Sequence, residues 1–227
     1  MTALPVSVII PAKNAARFLQ GALDSVSALT VRPAEILVID DGSTDATAEI
    51  ARAHPGVRVI ATEGQGAAAG FNTGVRHAAA PLLAFLSADD RWEPAKLERQ
   101  LPLLGDCPGV LTLFRYFLYP GCTIPTAMNP ALFERDLVGQ IPETLLVRRD
   151  FQIEIGEYPE RLRTGFDVEW FARVAERGIR FPVVSEVLLR KGVHEANLTN
   201  SSRETAPVLL DLLRASLRRR KEGGDGR

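Results

Sequence analysis

A chain of 227 residues, 46% hydrophobic and 24% charged, has the make-up of a globular protein with enough apolar material for one sizeable core. Its formal net charge of -1 gives no general reason to expect nucleic acid, which is held by clustered excess Lys and Arg, so any basic patch must be local. Two cysteines, Cys107 and Cys122, are too few for a disulfide framework and read as filler thiols in a reducing, cytoplasmic setting.

The opening MTALPVSVIIPAKN carries an apolar run too short to span a membrane, without the basic flank and cleavage site of a leader. Residues 6–10, VSVII, predict a strand buried on both faces and ended by Pro11. Phe18, Leu19, Ala22, Leu23, Val26 and Leu29 then recur at helical spacing. EILVID, 35–40, repeats the buried-strand pattern and stops on Asp40 and Asp41; a helix over 45–54 follows, with Ser43 or Thr44 as its N-cap. A third strand over 57–61, a third helix over 67–80 and a fourth strand, LLAFLS, complete an alternation that predicts right-handed crossovers and a mostly parallel sheet.

Beyond residue 94, Leu97, Leu101 and Leu104 fit a short helix, and GVLTLFRYFLYPG reads as a strand turning at Pro120 and Gly121. ETLLVRRD predicts a strand, FDVEWFARVAERG a helix with Phe166, Trp170 and Val174 on one face, and FPVVSEVLLRKGVH a return to the sheet. The second half therefore extends the same sheet. The expected division is one domain over 1–203, with a nucleotide-binding half at 1–94 and an acceptor half at 95–203, followed by an amphipathic basic helix and Gly-rich tail over 204–227. That helix ends in Arg218, Arg219, Arg220 and Lys221. It has two readings: a docked terminal helix whose cations complement the dipole, or a peripheral contact with an anionic membrane surface. NLT at Asn197 and NSS at Asn200 match the glycosylation acceptor pattern by chance, no secretion leader being present.

Two predicted strands end on paired carboxylates, IDDG and SADD. One acidic pair is commonly a solvated turn. Two pairs at the carboxyl ends of parallel strands share the rim where ligands collect in such sheets. No Gly-x-Gly-x-x-Gly follows the first strand and no Walker loop is present. The phosphates of a bound nucleotide would then be neutralised by a metal at the carboxylates, and a nucleotidyltransferase, which needs a Gly-rich phosphate loop, is disfavoured.

VSVIIPAKNAARFLQGALDSV, ILVIDDGSTDAT, LLAFLSADDRWEPAKLERQ and LLVRRDFQIEIGEYPERLRTGFDVEWFARVAERG resemble, in order and spacing, the family 2 glycosyltransferases of the GT-A fold. The likeness covers about residues 6–199. It implies a single-domain α/β GT-A architecture, Rossmann-like, with a mostly parallel mixed sheet flanked by helices. It further implies inverting transfer of a sugar from a nucleoside diphosphate donor, a UDP-sugar first, to a saccharide or other hydroxyl acceptor, as in cell-surface polysaccharide biosynthesis. Under this resemblance Pro11, Ala12 and Asn14 line the nucleotide base and Asp41 accepts a hydrogen bond from it. Asp89 and Asp90 face the ribose and the metal-bound diphosphate, and His194 assists at the metal. Mg2+ or Mn2+ is commonly held by one or two carboxylates plus substrate phosphates. Inversion needs one general base, and Asp167 in TGFDVEW matches it, although Thr164 and Asp167 also fit a capping box.

Four positions depart from the family pattern: Ser87 stands for Asp, Phe166 for Glu, Phe71 for Arg and Gly192 for Arg. Ser87 is expected to order a metal-bound water, and Arg76, Arg190 or Lys191 to replace the lost cations. The departures also support an alternative, a catalytically degenerate GT-A binding or regulatory protein. RYFLYPGCTIPTAMNP is the expected acceptor wall.

Overall fold

The structure, a computed structural model, describes residues 4–126, 128–195 and 197. Strands β1 (Leu4–Ala12), β2 (Pro33–Asp40), β3 (Val57–Ala61) and β4 (Leu82–Phe85) are parallel neighbours in the order β3-β2-β1-β4. Helices α1 (Leu19–Ser27), α2 (Thr47–Ala53) and α3 (Ala67–His77) connect them. The remaining elements are β5 (Arg91–Trp92), α4 (Lys96–Leu104), β6 (Gly109–Leu118), β7 (Leu137–Val138), β8 (Leu146–Arg148), α5 (Arg149–Ile155), α6 (Phe166–Glu176) and β9 (Val183–Val193). They extend the sheet to nine strands by adding β8, β6, β9 and β5 in that order beside β4, with β7 on β6. β6 and β9 are parallel to each other, whereas β8 runs antiparallel between β4 and β6. The sheet is thus mixed and mostly parallel, as expected.

Helices cover both faces, which is why the central strands are apolar throughout rather than alternating. On one face Val8 and Ile10 pack with Leu19, Leu23 and Val26 of α1 and with Leu97 and Leu104 of α4. On the other, Ile9 packs with Phe71 and Val75 of α3 and shares a core with Phe151, Ile155, Trp170 and Val174 of α5 and α6. A Cβ at Gly74 would lie 2.1 Å from Ile9 Cγ2, so only glycine lets α3 approach β1 this closely.

Several expectations are corrected. Pro11 does not end β1: pairing continues to Ala12 opposite Asp40. Pairing with β4 stops at Ile9 opposite Phe85, so the missing proline amide breaks no bond on that side. α2 starts at Thr47, and neither Ser43 nor Thr44 caps it, because both are engaged by Asn14. Asp45 takes the amide (3.0 Å) and hydroxyl of Thr47 instead. Thr164 does not cap α6; Gly165, at φ 76°, is the N-cap and no side chain caps the helix. ETLLVRRD is not one strand. It divides into the 3-10 turn Pro142–Thr144, β8 and the start of α5. The basic C-terminal helix and Asn200 lie outside the described residues. Among those described, no helix is long and apolar enough to cross a membrane.

Candidate active site

Asp40 and Asp41 leave the sheet beside the end of β1, where the Asp41 amide donates to Ala12 O (2.8 Å). Asn14, at φ 47°, joins the two loops: its amide donates to Ser43 Oγ (3.0 Å) and its Oδ1 accepts from the Thr44 amide (2.8 Å). Asp41 is buried and accepts from Thr62 Oγ1 (2.7 Å) and from the amides of Gln65 and Gly66 (2.8 Å each). Burial would raise its pKa, but these bonds and nearby Lys13 outweigh it and hold the carboxyl below its ordinary range. Pro11 and Ala12 form the floor between these loops, Pro11 half-buried and Ala12 buried. The structure thus gathers Pro11, Ala12, Asn14 and Asp41 at one rim.

The second acidic pair flanks the same β1 end from the other side. Asp89 Oδ2 lies 3.0 Å from His194 Nε2 and accepts from Asn197 Nδ2 (2.9 Å). His194 is buried and stacked on Phe18 at 4.1 Å. Asp90 turns inward: it is 1% exposed, Oδ1 accepts from the Gly192 amide (2.8 Å) and Oδ2 pairs with Lys191 Nζ (2.9 Å). Burial pushes Asp90 up. Burial also opposes the Lys191 charge, yet Asp90, Glu143 and Asp89 together hold that ammonium well above its usual range. Asp89 and His194 could therefore hold a divalent ion together with substrate phosphates, while Asp90 braces them through Gly192. Among the described residues no three His, Cys, Asp or Glu side chains are grouped to hold a metal by themselves.

Asp167 stands in the first turn of α6. Burial and then the Glu143 charge raise its pKa to about 6, against the pull of the Val168 and Asp167 amides. The loop before α6 is fastened to α3 by Asn72, whose Nδ2 donates to Tyr158 O (2.9 Å) and whose Oδ1 accepts from the Tyr158 amide (2.8 Å). Glu143, which the sequence does not single out, is 6% exposed and accepts from Ser87 Oγ (2.6 Å) and Lys191 Nζ (3.3 Å). A cavity of about 560 Å³, whose Arg17 and Glu195 adjoin the stacked Phe18 and His194, is also lined by Cys122, Thr123 and Thr126 among others. Part of the expected acceptor wall lines it. Cys122 is no buried filler, since its Sγ donates to Glu195 Oε2 (2.9 Å).

The sequence profile described as "Glycosyl transferase family 2" matches residues 7–187. The chain belongs to this family. It is 32% identical over 208 residues to "Glycosyltransferase AglE" of Haloferax volcanii, covering 84% of this chain and 67% of that protein. It is 30% identical over 224 residues to "Succinoglycan biosynthesis protein ExoU" of Rhizobium meliloti, covering 87% and 65%. The chain spans about two thirds of the length of these two relatives. Among solved structures it resembles mannosyltransferase PcManGT of Pyrobaculum calidifontis, in complex with GDP-Man and Mn2+, with a TM-score of 0.74 at 19% identity, covering 96% of this chain and 65% of that one. It also resembles S. aureus TarS 1-349 in complex with UDP-GlcNAc, with a TM-score of 0.68 at 19% identity, covering 88% and 61%. These likenesses establish the GT-A fold.

The departures of this family 2 chain have a structural account. Phe71 and Phe166 touch, with centroids 6.1 Å apart, and both meet Tyr158, so the two aromatics at the positions where the resemblance leads one to expect Arg and Glu pack on each other. Gly192 has no room for arginine, since even a Cβ would lie 2.1 Å from Asp89 O. Of the proposed substitute cations, Arg76 pairs with Glu157 and Arg190 with Glu93, while Lys191 alone lies on the carboxylates. Ser87 donates to Glu143 (2.6 Å). Sequence reasoning misses Asn197 and Glu143 as site residues, whereas Lys191 is among its expected substitute cations. Asn197 had a signal: it lies three residues beyond His194.

Proposed function

We propose that the chain is an inverting, divalent-metal-dependent glycosyltransferase that moves a sugar from a nucleoside diphosphate donor, UDP before GDP, to a hydroxyl of a saccharide or other acceptor. The observation that supports this reading is that Asp41 and Asp89 follow β2 and β4, the two strands that flank β1, while Asp167 feels the charges of Glu143 and Lys191, the latter paired with Asp90, and has its pKa raised to about 6 where a base works near neutral pH. The names of relatives that act in succinoglycan biosynthesis or bind GDP-Man and Mn2+ support it. We assign the base of the nucleotide to the floor of Pro11, Ala12 and the loop that Asp41 orders. Asp41 Oδ2 accepts one bond from the chain and retains a lone pair for a donor on the ligand. Asp89 and His194 are the assigned Mg2+ or Mn2+ ligands, with Asp90 behind them. A bound ion supplies Lewis-acid stabilisation of the departing diphosphate.

Asp167 takes the proton of the attacking hydroxyl as its oxygen bonds to the anomeric carbon and the bond to the diphosphate breaks. One displacement inverts the anomeric configuration. The division into a nucleotide half, 1–94, and an acceptor half, 95–203, fits this assignment, although His194 and Lys191 reach back to the first half. Unpaired Cys107 and Cys122 suit a cytoplasmic setting. The test is transfer from a panel of UDP- and GDP-sugars with Mn2+, with product configuration read by NMR. An inverted anomer is expected; a retained anomer excludes the mechanism. The apolar contact of Phe71 with Phe166 favours the second reading, a binding protein, and nucleotide binding without any transfer to a broad acceptor set would establish it.

A further inference from the structure

Glu143 joins the two ends of the site. Its Oε1 accepts from Ser87 Oγ and from Lys191 Nζ, which also reaches Asp90 Oδ2. On the other side, Glu143 is the strongest charged neighbour acting on Asp167 and also acts on Tyr158. Its Oε2 makes no hydrogen bond among the described residues. The Tyr158 hydroxyl, which feels the charges of Asp167 and Glu143, is buried and has no partner among the described residues. The turn that carries Glu143 is rigidly held: Trp92 Nε1 donates to Glu143 O (3.1 Å), Gln100 Nε2 to Thr144 O (2.9 Å) and Thr144 Oγ1 to Gly139 O (2.8 Å).

In a displacement at the anomeric carbon, the sugar ring lies between the departing diphosphate and the attacking hydroxyl. Under the function proposed above, on which this inference rests, Asp89 and His194 mark the first and Asp167 the second. An acid between them faces the ring. We propose that Glu143 binds the donor sugar, with Ser87 and Lys191 fixing Oε1 so that Oε2 accepts a hydrogen bond from a ring hydroxyl, beside the Tyr158 hydroxyl. A carboxylate fixed in this way selects among sugars by the placing of that hydroxyl.

Calorimetric titrations of parent and Glu143→Gln with UDP, UDP-glucose, UDP-N-acetylglucosamine, GDP and GDP-mannose, each with Mn2+, test this. The readout is the Kd of the sugar nucleotide divided by that of its parent diphosphate. Loss of a charged acceptor should raise this ratio about 10- to 100-fold for the donor that binds, leaving the Kd of the diphosphate within about threefold. An unchanged ratio, or equal weakening of both ligands as a structural role would give, overturns the assignment. If Glu143→Gln does not fold, Ser87→Ala keeps the carboxylate but frees it, and should raise the same ratio by a smaller factor; no rise counts against the proposal. A parent chain that binds no diphosphate with Mn2+ sinks the glycosyltransferase reading itself, a result distinct from an unchanged ratio.

Discussion

Asp167 shows how one side chain can cost stability and supply chemistry. Its folded pKa of about 6 stands above the unfolded value of about 3.9. Ionisation therefore costs stability progressively between those two values, and the full cost remains at neutral pH. Asp167→Asn should melt no lower than the parent at pH 7 in calorimetry, while turnover falls about 10²- to 10⁴-fold. In the parent, turnover should decline as pH drops through about 6, because the base must be ionised. Removing the neighbouring charge in Glu143→Gln should move that acid limb to lower pH. The sequence singles out Asp167 as a candidate by its place in an ordered set of motifs, and the structure adds that no side chain caps α6. Asp41 was legible as a strand-end acid, but its three bonds to Thr62, Gln65 and Gly66 were not, because a loop contacting a strand end leaves no periodic mark.

At the scale of elements, the decisive feature is the direction of β8. Its antiparallel register with β4 pairs Leu82 with Arg148 and Ala84 with Leu146, and the same register continued by three residues sets Ser87 opposite Glu143. The rule that ligands gather at carboxyl ends of strands holds for parallel strands. An inserted antiparallel strand brings its amino end to that rim, so the acid ahead of β8 reaches the site as well. The support behind it begins at Lys96, which is fully buried, donates to Gln100 Oε1 (2.7 Å) and lies 4.5 Å over the Trp92 ring. Burial lowers its pKa to about 7, below the unfolded value of about 10.4. The unfolded chain then binds more protons between these values, and stability should rise with pH there. The stability of the parent relative to Lys96→Met should accordingly increase from pH 7 to pH 9.5, by up to about 1.4 kcal/mol per pH unit, in urea melts. Gly192 tests the register of β9: a methyl there must displace both Asp89 O and the Tyr119 ring. Gly192→Ala should cost about 1–3 kcal/mol and weaken Mn2+-dependent nucleotide binding together with it.

For the whole molecule, the proposed site lies along a seam between early and late parts of the chain. Asp41 and Asp89 come from the parallel βα units, whereas Lys191, His194 and Asn197 come from the end of β9 and just beyond it. A metal and nucleotide bound across that seam should stabilise the entire fold. At a hundredfold excess over Kd, Mn2+ with the preferred diphosphate should add about 2.7 kcal/mol, and Asp89→Ala should abolish the metal-dependent part of the melting shift. By itself the sequence determined the alternation of strands and helices in the first half, the strand ends that carry Asp41 and Asp89, and the family. Buried parallel strands and their crossovers write themselves in local hydrophobic pattern. Only the tertiary structure decided that Asp90 faces inward to Lys191, that Phe71 meets Phe166, and that Glu143 stands against Ser87. Those facts depend on strand direction and on contacts between residues far apart in the chain, which local pattern does not encode.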